Sequence, residues 1–388
     1  MKVAIVTDFY PPEVFGGVEV TAARVVERFR AQGHEVAVLT SALGTAAPAP
    51  GVHRVFRPYY RPERAARRRS AVAKAALDAD TYWRARMVLR RFRPDVVLVK
   101  SVRHISFRAV TAAFSLGVPV VSYADDDWLV TRRQSCRAGG AAGRLRERFV
   151  YRDFGFTTIA CASRTLAARF VDGGFPRDRV LALPHGVDPE RFTASPLPAS
   201  RHLLFVGRLY PVKGPDLAIR ALRELHDRGY RDVSLTLVGA GDDDYARGLR
   251  QEAAAFGLTS AITFAGPVRH DSLPAVFPTA FAVVMPSRYD TFPLVALEAM
   301  ASARPLVATR VGGLPEIVSD GRDGMLVAPE DPRALADGIE SLLKDPGFAQ
   351  SLGQAARESV IARFTEAAFF ARLESTLDGA MGARAVAS

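Results

Sequence analysis

Short, uninterrupted apolar runs alternate along the chain with longer stretches in which apolar positions recur every three or four residues. The first kind reads as parallel strands buried on both faces, the second as amphipathic helices laid over them. Strands are expected at residues 2–7, 34–40, 52–56, 96–99, 119–122 and 157–161, and in the second half at 202–206, 234–239, 262–264 and 281–285. Helices are expected at 18–32, through the basic stretch 61–93, at 106–116, 143–154 and 163–171, from near Gly214, at 243–256, from Pro293, and at 332–343, 347–363 and 365–381. Gly117 closes one of them, and Ser163 caps another. The pattern is α/β, in two Rossmann-like domains. Residues 1–188 form the first and 201–364 the second, with the proline-rich run 189–200 as the linker between them and 365–388 as a C-terminal helix.

Candidate chemistry concentrates where the strand at 281–285 stops at Pro286 and a helix opens with Pro293 at its first position, where a missing N–H costs nothing. Ligand sites of open α/β sheets lie at such places. Asp290 stands in the loop and Glu298 in the helix, eight residues apart. A diphosphate is drawn to a helix N-terminus by aligned dipoles and unpaired N–H groups, so carboxylates in that crevice suit sugar hydroxyls. After the strand at 202–206, Gly207 keeps a turn tight, and Arg208 and Lys213 fall at the mouth of another helix. That dipole end repels cations, and an anion held between them removes the conflict.

These residues resemble the signature of the retaining glycosyltransferases of family 4, which pair Glu, seven residues, Glu with an Ala-Met and a Gly-Gly loop. Asp290 stands where the first Glu is usual. Glu298 is the second, followed by Met300, Gly312, Gly313, Glu316, Asp320 and Gly324. The resemblance implies the GT-B fold of two facing Rossmann-like domains, with the C-terminal helix packed back on the first. It implies a nucleoside diphosphate sugar as donor, its diphosphate held by Arg208, Lys213 and the amides of Leu294 and Val295. Glu298 would grip the ribose, Asp290 the transferred sugar, and the backbone at Val268 and Arg269 would read the base. No metal or other cofactor is expected.

In the first half, Gly16 and Gly17 follow the first strand, and without a Cβ their N–H groups can approach a ligand closely. The spacing is not Gly-x-Gly-x-x-Gly, which disfavours a nicotinamide enzyme. In family 4 the matching loop touches the donor phosphates and helps shape the acceptor pocket. Asp125, at the start of an acidic triplet with Asp126 and Asp127, stands where the family commonly has a histidine near the reacting sugar. It reads equally as an incidental polar residue or as an acceptor-recognising carboxylate, and less readily as a covalent nucleophile. Lys100 and His104, after a neighbouring strand, and Glu19 are candidates for the acceptor side. His185 falls in the family's hinge phrase.

The 388 residues carry a formal charge of +11, unevenly placed. Residues 1–188 hold 31 Lys+Arg against 17 Asp+Glu, whereas residues 189–388 hold 21 against 24. Arginines crowd positions 61–69 and 84–93. The excess reads as a solvated face or as peripheral contact with an anionic membrane or phospholipid-linked acceptor. No nucleic-acid module accompanies it, and nucleic acid is not expected. Cys136 and Cys161 have no metal or disulfide-framework spacing, which agrees with a reducing compartment. No apolar stretch approaches the ~20 residues that span a bilayer. The expected location is cytoplasmic, on the inner face of the membrane if the surface contact holds.

The implied reaction transfers a sugar to an acceptor hydroxyl with the α configuration kept, the leaving diphosphate taking the hydroxyl's proton. The alternatives are a non-hydrolysing nucleotide-sugar epimerase of the same architecture, a non-catalytic nucleotide-sugar binder, and an inverting transferase with Glu13 or Glu19 as base.

Overall fold

The computed structural model describes residues 1–43, 49–59, 71–138, 140 and 158–387. The arginines at 61–69 and the helix expected at 143–154 lie outside them. By contacts the chain divides into Met1–Leu183 with Phe370–Ser388, and Pro184–Phe369.

The first unit contains β1 (Lys2–Val6), β2 (Glu35–Ser41), β3 (Val52–Phe56), β4 (Val96–Val99), β5 (Val120–Ala124), β6 (Thr158–Cys161) and β7 (Val180–Ala182). They form one sheet in the order β3-β2-β1-β4-β5-β6-β7, and every pairing in it is parallel. The second unit repeats the plan with β8 (His202–Val206), β9 (Ser234–Val238), β10 (Ile262–Gly266), β11 (Ala282–Met285), β12 (Leu306–Thr309) and β13 (Met325–Val327). Their order is β10-β9-β8-β11-β12-β13, again parallel. In each sheet the winding reverses once, between β1 and β4 and between β8 and β11. The crevice outside the carboxyl ends of strands at such a reversal is where doubly wound sheets bind ligands.

The continuous apolar runs are buried as expected: β4, β11 and β12 are buried at every position. Helix Gly17–Ala31 turns Ala22, Val25, Val26 and Phe29 inward, and helix Pro215–Asp227 turns Leu217, Ala218, Ala221, Leu222 and Leu225 inward. Each fully buried Leu or Phe contributes roughly 1.5–3 kcal/mol of transfer energy. Side chains set the helix starts. Ser163 accepts from the Leu166 amide, Asp242 from those of Asp244 and Tyr245, and Asp331 from those of Arg333 and Ala334.

The elements absent from the sequence reading include helix Trp128–Ala138, the short helices Leu273–Val276 and Leu314–Ile317, and strands β7, β12 and β13. The three strands have three or four residues each, too short to show a period, and helix Trp128–Ala138 has few apolar positions among its polar ones. The helix after β11 starts at Leu294, with Pro293 as its N-cap in extended conformation (φ −74°, ψ 121°), one position later than expected.

Residues 189–200 are fastened to the second unit. The fully buried Arg304 guanidinium donates to the carbonyls of Ser195, Pro196 and Ala280. Arg357 donates to those of Pro189 and Phe192, and the Phe192 ring is itself buried. Helix Glu366–Ala387 spans the division at Phe369/Phe370. Beyond it Phe370, Leu373, Leu377 and Ala380 are buried, and the Arg28 guanidinium lies over the Phe370 ring at 5.9 Å.

Candidate functional site

In the second unit the loops after β8 and β11 are locked together by their backbones. Gly214, at φ +69°, caps helix Pro215–Asp227, and a Cβ there would lie 2.0 Å from the Pro286 carbonyl oxygen. Only glycine accommodates both the left-handed conformation and that approach. Gly312, at φ +53°, makes the same kind of contact with the Asp290 carbonyl, where a Cβ would fall 1.7 Å from the oxygen, and Gly313 donates its N–H to that oxygen at 2.9 Å. The Gly-Gly loop thus presses on the residue that carries the first acid.

Lys213 Nζ lies 2.6 Å from Asp290 Oδ2, and the carboxylate is only 8% exposed. The cation at this helix mouth therefore has an anion from the protein itself, which the sequence reading assigned to a ligand. The helix supplies a second: Asp216, in its first turn, is held in a two-pronged contact by Arg288 at 2.7 and 2.8 Å and by the Tyr245 hydroxyl at 3.0 Å. Burial raises the Asp216 pKa, but the Arg288 and Tyr245 hydrogen bonds outweigh it and hold the carboxyl below its ordinary range. Arg208 differs from both. Its side chain is exposed beside the Tyr210 ring, 5.4 Å from the centroid, and no carboxylate among the described residues pairs with it.

Glu298 is 2% exposed, and its Oε1 lies 2.7 Å from His270 Nε2. Behind the imidazole, Arg191 approaches Nδ1 at 3.3 Å and pairs with Asp271 at 2.8 Å. His270 was not singled out from sequence; it is 28 residues from Glu298, and no local pattern joins them. The backbone N–H groups of Leu294 and Val295, at the start of the Glu298 helix, have no acceptor among the described residues, nor do those of Val268 and Arg269. Four half-buried or exposed residues thus present open donors after β10 and β11 of the same sheet.

The first unit gathers its candidates at the ends of β1, β4 and β5. Asp8, 2% exposed, accepts from the backbone N–H groups of Arg103, His104 and Ile105, each at 2.9 Å, and from the Ser101 hydroxyl. It shapes the loop that carries His104, whose Nδ1 lies 3.3 Å from the same carboxylate. Asp8 takes this role only because β1 and β4 are adjacent. Glu19 turns back to accept from Gly16 N at 2.8 Å and Phe15 N at 3.3 Å. Burial raises its pKa against those hydrogen bonds. The Gly16 amide is therefore engaged by Glu19, and Gly17 alone of the pair keeps an N–H with no acceptor among the described residues. Gly16 is extended (φ −175°) and an added Cβ would meet nothing nearer than 3.9 Å, so neither backbone nor neighbours demand glycine there.

Lys100 and Asp125 meet. Lys100 Nζ is 3.1 Å from Asp125 Oδ2, with the lysine side chain 1% exposed and the aspartate 17%. Of the triplet, Asp126 caps helix Trp128–Ala138 by accepting from the Trp128 amide at 3.0 Å, and Asp127 pairs with Arg169. Burial raises the Asp126 pKa against that hydrogen bond. Among the described residues no group of three or more His, Cys, Asp or Glu could hold a metal ion. His185 packs against the Phe369 ring at 5.3 Å and is buried.

Two parallel α/β sheets of the same winding, each with polar loops at its reversal point, are the plan of the two-domain GT-B fold. Residues 15–191 match the model of Glycosyltransferase Family 4, and residues 200–345 that of Glycosyl transferases group 1. The chain is 38% identical over 192 residues to a D-inositol 3-phosphate glycosyltransferase of Arthrobacter, covering 46% of this chain and 45% of that protein. It spans about half the length of the first such relatives it matches. A glycogen synthase of Mycobacterium tuberculosis is 30% identical over 390 residues, covering 94% of this chain and 91% of that protein. Among solved structures, sucrose-phosphate synthase from Thermosynechococcus elongatus superposes with a TM-score of 0.78 at 20% identity, covering 98% of this chain and 99% of that one. Anabaena HepE in complex with UDP-glucose does so at 0.75 and 21%, covering 98% and 100%. The chain belongs to the family 4, group 1 glycosyltransferases.

Proposed function

We propose that the chain is a retaining hexosyltransferase that moves a sugar from a nucleoside diphosphate sugar to an acceptor hydroxyl. The observation that carries this reading is the arrangement at the second sheet's reversal. Among the described residues Arg208, on the loop after β8, pairs with no acid, and the amides of Leu294 and Val295 after β11 have no acceptor, while Asp290 and Glu298 are held by partners of their own. Breaking the anomeric bond leaves an oxocarbenium-like sugar and a diphosphate gaining charge. A positive side chain and preorganised N–H groups facing the departing oxygen lower that barrier. Arg208, the amides of Leu294 and Val295, and Lys213 shared with Asp290 would supply them, with no metal required. Asp290 would then accept from hydroxyls of the transferred sugar and Glu298 from the ribose, while Val268 and Arg269 offer backbone N–H groups to the base. The leaving diphosphate takes the acceptor's proton.

The activities for which the relatives are named, glycogen synthase and D-inositol 3-phosphate glycosyltransferase, support transfer to a polyhydroxylated acceptor, and the UDP-glucose complex of HepE supports a uridine donor. The decisive experiment is transfer from UDP-glucose and other nucleoside diphosphate sugars across an acceptor panel, with the product's anomeric configuration read by NMR. Wild-type rates retained within threefold by both Arg208→Ala and Lys213→Ala would refute the diphosphate assignment. A sugar isomer formed from donor alone would instead make the chain an epimerase.

A peripheral membrane contact is part of the proposal. Among the described residues no helix is long and apolar enough to cross a membrane. Helix Ala71–Phe92 nevertheless exposes Trp83 (62%) and Met87 (66%) on one face, one turn apart, with Arg90 exposed nearby. Co-sedimentation with phosphatidylglycerol vesicles, abolished by Trp83→Ser together with Met87→Ser, would support it; sedimentation unchanged by those substitutions would not.

A further inference from the structure

The first unit buries the ammonium of Lys100. Lys100 ends β4, and its backbone N–H donates to the Val6 carbonyl at 2.9 Å. Its side chain, 1% exposed, places Nζ 3.1 Å from Asp125 Oδ2 and 3.8 Å from the centroid of the Tyr123 ring. Despite the short distance to Asp125, Nζ makes no well-aligned hydrogen bond, although it carries three donors. Burial lowers the Lys100 pKa, and the Asp125 charge opposes that shift. A buried ion pair with unused donors is poor structural material, since an apolar pair of similar size commonly serves the fold as well. Its place is the carboxyl ends of β4 and β5, next to the reversal between β1 and β4, where a ligand is expected.

The charge around the pair narrows the ligand. Three cations each face an acid of the triplet: Lys100 faces Asp125, Arg103 faces Asp126 at 3.7 Å, and Arg169, from helix Arg164–Asp172, faces Asp127. Asp8 and Glu19, both buried, add two more carboxylates. Among the described residues a phosphate would meet this excess of acid, with Lys100, Arg103 and Arg169 each already facing a carboxylate. A hydroxyl suits the pair, because its oxygen can accept from the ammonium while its proton goes to the carboxylate.

Resting on the transferase reading above, we infer that Lys100 and Asp125 form a hydroxyl-binding pair that selects an uncharged polyol acceptor over a phosphorylated one. This would set the chain apart from relatives named for D-inositol 3-phosphate.

The test is binding by calorimetry and saturation-transfer NMR on the full chain. The probes are myo-inositol and methyl α-D-glucopyranoside against myo-inositol 1-phosphate and glucose 6-phosphate. The wild type is expected to bind the uncharged probes at least tenfold more tightly. Asp125→Asn leaves Lys100 beside a neutral amide, and the preference should fall at least tenfold toward the phosphorylated probes. Lys100→Met should lose the uncharged probes, with Lys100→Arg as a second variant should the methionine fail to fold. A wild type that prefers the phosphorylated probes, or binds none, overturns the inference, as does an Asp125→Asn protein with an unchanged ratio. Wild-type UDP binding, measured alongside, separates the two readings: its loss refutes the donor site and leaves the polyol comparison standing.

Discussion

Lys213 Nζ lies 2.6 Å from Asp290 Oδ2, so a cation from the loop after β8 and a carboxylate from the loop after β11 hold each other across the reversal point of one sheet. A lysine so placed stabilises the acid and is also within reach of an incoming anion. Removing it should therefore have two separable effects. Lys213→Met strands a nearly buried carboxylate at a cost of about 1–3 kcal/mol, seen as a lower urea midpoint. Adding Asp290→Asn should restore most of that stability but not nucleotide affinity. Recovery of both would mean that Lys213 serves only the fold.

Among the described residues Arg208 pairs with no acid and lies exposed over the Tyr210 ring. Arg208→Ala should leave the melting temperature nearly unchanged and reduce transfer by about a hundred- to thousandfold, the usual cost of one preorganised donor facing developing charge. A variant that is both destabilised and active would contradict this assignment.

Glu298 is held by His270 at 2.7 Å. Losing a charged hydrogen-bond acceptor to a ligand costs about 1.5–3 kcal/mol, so Glu298→Gln should weaken UDP binding by roughly ten- to a hundredfold in calorimetry. His270→Ala should produce a smaller loss by freeing the carboxylate's orientation. Unchanged affinity in Glu298→Gln would remove it from the ribose.

Gly214 and Gly257 both have positive φ, +69° and +70°, but only Gly214 has a backbone oxygen where its Cβ would go. Gly257→Ala should cost about 1–2 kcal/mol, the left-handed penalty alone. Gly214→Ala should cost clearly more and abolish nucleotide binding, since Pro286 must retreat. Equal destabilisation of the two would show that the loops are not tightly docked.

Burial pushes the Cys161 thiol up to about 12 from an ordinary value of 9.0. The folded protein should therefore resist alkylation at pH 8 and react stoichiometrically in urea. Above pH 9 the unfolded chain ionises this thiol while the native one keeps its proton, so stability should fall as pH rises from 9 toward 12. Rapid labelling of native Cys161 would contradict its burial.

Periodicity and punctuation carried most of the fold. Strands at 52–56, 96–99 and 202–206 were legible to the residue because continuous apolar runs bounded by polar residues have few alternative uses in a large α/β chain. Ser163 was legible as a cap for the same reason: its hydrogen bond is local. The acids Asp290 and Glu298 were visible from their spacing and their resemblance to a known signature. Their partners were not, because Lys213 and His270 lie 77 and 28 residues away, and pairing at that distance exists only once β8, β10 and β11 are set in register.

The same separation hid other contacts. Glu19, a candidate for the acceptor side, also accepts from the amides of Phe15 and Gly16; Lys100 and Asp125 stood in separate phrases until β4 and β5 paired. By itself the amino-acid order determined where the chain is apolar, where it turns and which residue types are available, since these depend on neighbours a few positions away. Which charges meet, and which are left open to a ligand, only the tertiary structure decided, because electrostatic pairing and burial depend on distances through space that no spacing along the chain encodes.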